Sequence, residues 1–290
     1  RRGHRIVLAL HELEPEKLHH YPRLSAALHY RPRFRGWVEA GRMLWVAARI
    51  ASWFVCYRAV LGLMGRLPDR LVAHSSRSAY WLDLLTHDGR KRDEFPLVVM
   101  PLEGAALPRS PEEKRALRER LGLPADRFVF VSPGFFFPRK RFVEVIEATP
   151  DDAVLVLSGT RARGDPEYFD QVTEAARGRT NVVINTDYDS MGDFVAAADA
   201  VVLFYDDVFQ SAVVTQAVWA GLPCVFSSTP GFRVFHAAGL VARDSVHLRE
   251  RMEEIRRPEV HDRLRRGVSV LRRMLAPERL APRYLVGLDD

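Results

Sequence analysis

A lysine flanked by arginines and preceded by a glycine, in the run Gly134-Phe-Phe-Phe-Pro-Arg-Lys140-Arg141, is the first group with chemistry to offer. Glycine lets the chain turn sharply where a strand ends, and Arg139, Lys140 and Arg141 together can meet a phosphate. Any surface loop can hold three cations, so this group alone decides nothing. A second group follows Phe204-Tyr205, in DDVFQSAVVTQAVWAG. There a loop enters a helix at Ser211, and the helix ends at Gly221-Leu-Pro223. A helix start presents free N–H groups and the positive end of a dipole to an anion. The same serine serves equally as a plain N-cap. The helix is apolar almost all round, which buries it between a sheet and its neighbours.

Other groups are weaker. Asp187-Tyr-Asp189 has the spacing of a metal-binding carboxylate pair, yet it closes a strand and leads into a helix at Ser190, so a turn-and-cap role fits better. Asp206-Asp207 has no histidine or third carboxylate nearby in sequence, and no metal is expected. Cys224 lies within a strand pattern and reads as a small buried hydrophobe. His74 precedes serines but the GxSxG of a hydrolase is missing. His236 sits in a loop that can approach a ligand at the strand ends.

These groups depend on an alternating framework. FVFVSPG, AVLVLSG, NVVINT, AVVLFY and PCVFSS read as strands, separated by helices near 141–149, 167–177, 190–198 and 211–220. Continuous apolar runs between helices mean a parallel sheet covered on both faces. The fold is therefore a doubly wound α/β domain whose ligands sit at the carboxyl ends of its strands. Helices near 245–257 and 259–275 follow, with Pro277 and Pro282 in the tail. Upstream, Ser110-Pro-Glu-Glu113 marks a capped helix start. The stretch 103–110 is the expected domain boundary, giving a front domain over 1–105, a second over 106–275 and a tail over 276–290 that packs back on the first.

In the front part, RIVLAL (5–10), RLVAH (70–74) and FPLVVMPL (95–102) read as strands. A long helix over 34–66 carries Arg35, Arg42 and Arg49 on one stripe, either a solvated face or a rest for lipid headgroups. Its apolar part is interrupted by Arg49 and Arg58, so it is not a membrane span. The chain shows no signal peptide and no initiator Met, and reads as processed or trimmed.

The 290 residues are 47% hydrophobic and 28% charged, which excludes wholesale disorder. Two cysteines far apart exclude a disulfide scaffold and fit a cytoplasmic setting. The net charge of +6 is concentrated at the front, where residues 1–100 hold 17 basic against 9 acidic side chains. That surplus can face an anionic ligand or membrane. Nothing resembles a basic region, zinc finger or aromatic RNA platform, so nucleic acid is not an expected partner.

The order Gly134, Pro138-x-Lys140, then Asp199 to Tyr205, Ser211 to Gly221 and Pro223 to Ser228 resembles the retaining glycosyltransferases of the GT-B fold, group 1 (GT4-like). That family shows a strand ending in Gly, a Pro-x-Lys-Gly-like loop, an "aaDvvvlPy" strand, a nucleotide-binding helix and an "aGxPVvas" strand. The resemblance covers about residues 110–245 and rests on order and spacing. More faintly, His11 resembles the family's Thr-x-His loop, LVAHSS its "viavS" strand and VVMPLEGAAL its "v.vipnGvd" strand.

The resemblance implies two Rossmann-like domains, the N-terminal one shortened, and a transferase moving a sugar from a nucleotide-diphosphate donor with retention. It needs no metal and no cofactor beyond that donor. Carried over by position, Lys140 binds the donor diphosphate and His11 lies near the reacting sugar, both as catalytic residues. Gly134, Arg139, Tyr205, Gln210, Ser211, Ala212 and Gln216 form the rest of the donor site. The acceptor is a saccharide, a lipid-linked compound or a small molecule. Contact with the inner membrane face and a partner chain completing the front domain are further expectations. The chain departs from the family at Phe135, where arginine is usual, and at Val208 and Gln216, where many members carry carboxylates. Gln210-Ser211 fits the variant "QSgvl". Two other readings are a non-catalytic sugar-nucleotide-binding subunit and a GT-B nucleotide-sugar epimerase, the latter without a convincing acid/base pair.

Overall fold

The computed structural model describes residues 7–10, 55–56, 59, 70–73, 93–94, 107–108, 110–161, 166–208 and 211–285. The chain divides into two compact units, Arg1–Pro96 with Arg283–Asp290, and Leu97–Pro282. In the first, β1 (Val7–Leu10), β2 (Arg70–Ala73) and β3 (Asp93–Glu94) are parallel neighbours in that order. Val55, Cys56 and Ala59 are helical. His11, most of the helix expected over 34–66 and the strand expected over 95–102 lie outside the described residues.

The second unit is the doubly wound domain. Its strands are β4 (Val129–Pro133), β5 (Val154–Ser158), β6 (Val182–Asn185), β7 (Ala200–Leu203), β8 (Cys224–Ser227) and β9 (Gly239–Ala242). They are all parallel, in the order β6-β5-β4-β7-β8-β9. Every residue of β4, β5, β7 and β8 is buried, as uninterrupted runs such as VLVLS and AVVL require when helices cover both faces. The helices are α1 (Pro111–Arg120), α2 (Phe142–Ala148), α3 (Pro166–Ala176), α4 (Met191–Ala197), α5 (Ala212–Ala220), α6 (Ser245–Glu254), α7 (Pro258–Met274) and α8 (Pro277–Leu285). A core of Phe130, Phe136, Phe142, Ile146, Leu155 and Phe169 packs α2 and α3 on one face.

Several elements have no counterpart in the sequence reading. Pro230–Ala238 winds as 3-10 turns, and β9 follows it at once as an edge strand. Residues 277–285, read as a proline-bearing tail, are helical, with Pro277 at a helix start and Pro282 inside. Proline at a first turn costs no hydrogen bond, because the N–H it lacks would have no partner there.

The strand order reverses between β4 and β7, whose carboxyl ends therefore part and open a crevice. One half-buried carboxylate holds the opposite end of this pair together. Asp199, just before β7, accepts from Lys114 Nζ at 2.7 Å, Arg118 Nη2 at 2.6 Å and the Val129 N–H at 2.8 Å. Arg118 is itself buried and also donates to the Ala197, Ala125 and Arg127 carbonyls. The carboxyl is held below its usual range: burial opposes ionisation, but Lys114 and Arg118 together outweigh it. At α1, Ser110 caps by accepting from the Glu113 N–H at 3.2 Å, in line with the serine-proline-glutamate signal.

Candidate functional site

β4 ends at Pro133, and Gly134 turns the chain with φ +121, a left-sided conformation open to glycine at little cost. A 3-10 turn, Pro138–Lys140, carries the lysine back over that glycine. A side chain at 134 would place its Cβ 2.6 Å from Lys140 Nζ and 3.9 Å from Val213 Cγ2. Gly134 is therefore where the lysine loop and the start of α5 converge. Gly159, after β5, is equally constrained, since a Cβ there would stand 1.9 Å from the Gly134 carbonyl oxygen.

Lys140 is only 7% exposed and meets no carboxylate among the described residues. Its ammonium donates to Tyr205 Oη at 2.6 Å and to the Pro133 carbonyl at 3.3 Å, and lies 4.2 Å from the Tyr205 ring centroid. Burial, with the Arg139 guanidinium close by, pushes Lys140 down to about 7. Tyr205 lies two residues past the end of β7. Burial drives its phenol above the usual range, so it stays neutral, although a hydrogen bond with the Ser211 side chain opposes that shift. Phe232 backs the ring at 5.5 Å, and the Tyr205 N–H donates to Ser227 Oγ at 3.2 Å.

Ser211 stands at the N-cap position of α5 but makes no capping bond; its hydroxyl serves Tyr205 instead. The first-turn amides of α5 thus have no side-chain cap, and Ala212 at their head is exposed. Val214, Thr215, Ala217 and Val218 bury the helix as its composition requires, and Gly221 closes it at φ +77. The arrangement offers one cation, held by a neutral phenol, beside the open positive end of a helix. That is a cradle for an anion with two adjoining charges.

The structure brings Gly134, Lys140, Tyr205, Ser211 and the start of α5 into one cluster. Arg139 is exposed beside it, and its carbonyl accepts from the Asp206 N–H at 2.9 Å. Gln216 lies one turn into α5, half-buried, its side chain making no hydrogen bond among the described residues. Gln210 and His11 lie outside the described residues. Val208 is buried and 8% exposed, an apolar wall. Phe135 points outward at 48% exposure and stacks with Tyr188, their centroids 6.3 Å apart and ring planes at 24°.

Arg141, expected to join Arg139 and Lys140 in meeting a phosphate, is instead paired with carboxylates. It takes φ +51, the only positive φ of a non-glycine residue among those described, at the glycine place of the Pro-x-Lys-Gly-like loop. Its guanidinium reaches Glu144 at 2.8 Å and Asp206 at 3.4 Å and covers the Phe204 ring at 4.3 Å, which ties the lysine loop to the end of β7. A non-glycine residue in the glycine slot of that loop was the available signal.

Asp187 and Asp189 form a turn: Asp187 Oδ1 accepts from the Asp189 N–H, and Asn185 Oδ1 from the Asp187 N–H, each at 3.2 Å. His236 is exposed on the 3-10 segment, and burial together with Arg233 holds it below its usual range.

No protein-family model matches the sequence, and no curated protein matches it. Solved structures do. WaaG, a glycosyltransferase involved in lipopolysaccharide biosynthesis, aligns with 75% of this chain and 63% of its own at 19% identity and a TM-score of 0.58. Anabaena HepE, solved with UDP and glucose, aligns with 95% of this chain and 67% of its own at 18% identity and a TM-score of 0.62. Sucrose-phosphate synthase from Thermosynechococcus elongatus aligns with 96% of this chain and 65% of its own at 16% identity and a TM-score of 0.63. The chain thus spans about two thirds of the length of these proteins. Likeness at such identity is likeness of fold, and with the all-parallel sheet and its reversal between β4 and β7 it gives the chain the GT-B architecture.

Proposed function

We propose that this chain binds a nucleotide-diphosphate sugar and transfers the sugar to an acceptor with retention at the anomeric carbon. The observation that carries the reading is the joining of Lys140, Tyr205 and Ser211 in one buried network at the switch point of the sheet. The likeness of fold to HepE, solved with UDP-glucose, supports it further.

In this reading the bond from the anomeric carbon to the diphosphate oxygen breaks, an acceptor hydroxyl oxygen takes its place, and the hydroxyl proton passes to the departing diphosphate. Negative charge gathers on the departing diphosphate. The Lys140 ammonium and the first amides of α5 meet that charge with no metal or further cofactor, Tyr205 fixes the lysine, and Arg139 adds a solvent-facing cation. His11, Gln210 and Gln216 keep their roles beside the sugar and ribose as part of the proposal.

One observation favours a second reading, a binding subunit without turnover: the position that grips sugar hydroxyls in many members of the resembled family is the buried, apolar Val208. Incubating the protein with nucleotide sugars, with and without candidate saccharide and lipid-linked acceptors, separates the two. Release of nucleoside diphosphate only when acceptor is present supports transfer. Tight binding with no release under any acceptor supports the subunit, and no binding at all removes both.

A further inference from the structure

The second unit carries no overall surplus of positive charge, with 25 basic against 26 acidic side chains over 97–282, yet its arginines gather at its C-terminal end. Residues 263–279 hold six arginines and a single acid, Glu278. The buried side of α7 is Leu264, Val268 and Leu271, which pack toward the core, while Gly267 approaches the Ala237 carbonyl so closely that a Cβ would stand 1.8 Å from it. Arg263, Arg266, Val270, Arg273 and Met274, spaced three and four apart, therefore share the opposite face. All five are exposed, Val270 at 43% and Met274 at 55%.

The arginines of this face differ from those elsewhere on the unit. Arg141, Arg177, Arg251 and Arg256 each pair with a glutamate three residues away on their own helix or its edge. Arg263, Arg266 and Arg273 have no ion pair among the described residues. The acids of α7, Glu259 and Asp262, lie toward its start, where they suit the positive end of the dipole. From Arg263 to Met274 the helix carries no acid.

We infer that this face of α7 is a docking surface for an anionic lipid bilayer. Unpaired guanidiniums complement anionic headgroups, and an exposed valine and methionine between them enter the apolar boundary below. A soluble polyanion would match the arginines but has no use for Val270 and Met274, which is why the bilayer is the favoured partner. The helix lies on the interface rather than crossing it; no described helix is long and apolar enough to span. The inference does not depend on the sugar-transfer reading.

Flotation of the full chain with phosphatidylcholine vesicles, and with vesicles also holding phosphatidylglycerol, tests it. Binding to the anionic vesicles only, weakened by salt, is the expected result. The triple variant Arg263→Glu, Arg266→Glu, Arg273→Glu loses on the order of a hundredfold in partition, at roughly fivefold per surface cation removed. The pair Val270→Ser, Met274→Ser also weakens vesicle binding while leaving retention on heparin unchanged. Melting temperature and nucleoside-diphosphate affinity of both variants stay at the parent values, because neither set touches the core or the cradle. Equal vesicle binding by the parent and the triple variant overturns the inference. So does a serine pair that binds vesicles like the parent, since the face would then be a patch for any polyanion.

Discussion

Lys140→Ala is expected to leave a folded protein that has lost its grip on a diphosphate. One donor aimed at developing charge in a dry site is worth roughly 2.7–4 kcal/mol, so turnover should fall about 10²–10³-fold. Affinity for UDP should fall about ten- to hundredfold, for a charged hydrogen bond worth roughly 1.5–3 kcal/mol. The fold should survive because the ammonium is a burden to the free protein: it is buried, has no carboxylate partner among the described residues, and is pushed down to about 7. The sign follows from linkage. The native state holds its proton less tightly than the unfolded chain, whose lysine titrates near 10.4, so stability rises with pH from about 7 to 10. Lys140→Met, which keeps the packing and removes the charge, should abolish that rise and melt no lower than the parent at pH 7. Binding runs the other way. An anion favours the ammonium, so affinity for UDP-glucose, whose diphosphate does not titrate in this range, should weaken above pH 7 by up to about tenfold per unit. A flat profile from pH 6.5 to 8.5, or unchanged affinity in both variants, would remove Lys140 from the site.

Asp199→Ala should be the most destabilising single change among the polar residues described. It strips the shared acceptor from Lys114, Arg118 and the Val129 N–H and leaves the Arg118 guanidinium buried beside carbonyls alone. Removing one partner of a buried pair costs about 3–5 kcal/mol. Near 2–4 °C per kcal/mol for a unit of this size, the melting temperature should drop by roughly 6–20 °C. Because the carboxyl is held low in the native state, its contribution is present at neutral pH and fades as acid protonates it. Thermal melts at pH 7 and at pH 3 should therefore differ by less in the variant than in the parent. A loss below 2 °C at pH 7 would show that Asp199 is not the clamp at the closed ends of β4 and β7.

Both residues stand on features that the sequence exposes unequally. The five strand runs and the helices between them were legible because an apolar stretch with no polar alternation has one stable place, the middle of a covered parallel sheet. β9 was not. GLVA is short, begins with glycine and follows a segment whose 3-10 turns carry no regular apolar period. The helix over 277–285 was masked by two prolines, one of them harmless at a helix start. Lys140 and Ser211 stood out by residue type and by their place after strands, and the switch point brings their loops together. Their connection was not visible. It runs through Tyr205, whose phenol meets an ammonium 65 positions away in the chain, and no local pattern marks such a pairing. Arg141 was legible as a cation but not by its left-handed backbone or its partners Glu144, Asp206 and Phe204, two of which follow β7 much further along the chain.

The central claim is that the end of β4 and the start of α5 share one diphosphate. A crystal structure with UDP bound tests it most directly. The account predicts a phosphate within hydrogen-bond reach of both Lys140 Nζ and the backbone N–H of Ala212 or Val213, with Tyr205 still on the lysine. UDP lodged away from Gly134, or touching the lysine loop while the head of α5 faces only water, would contradict it.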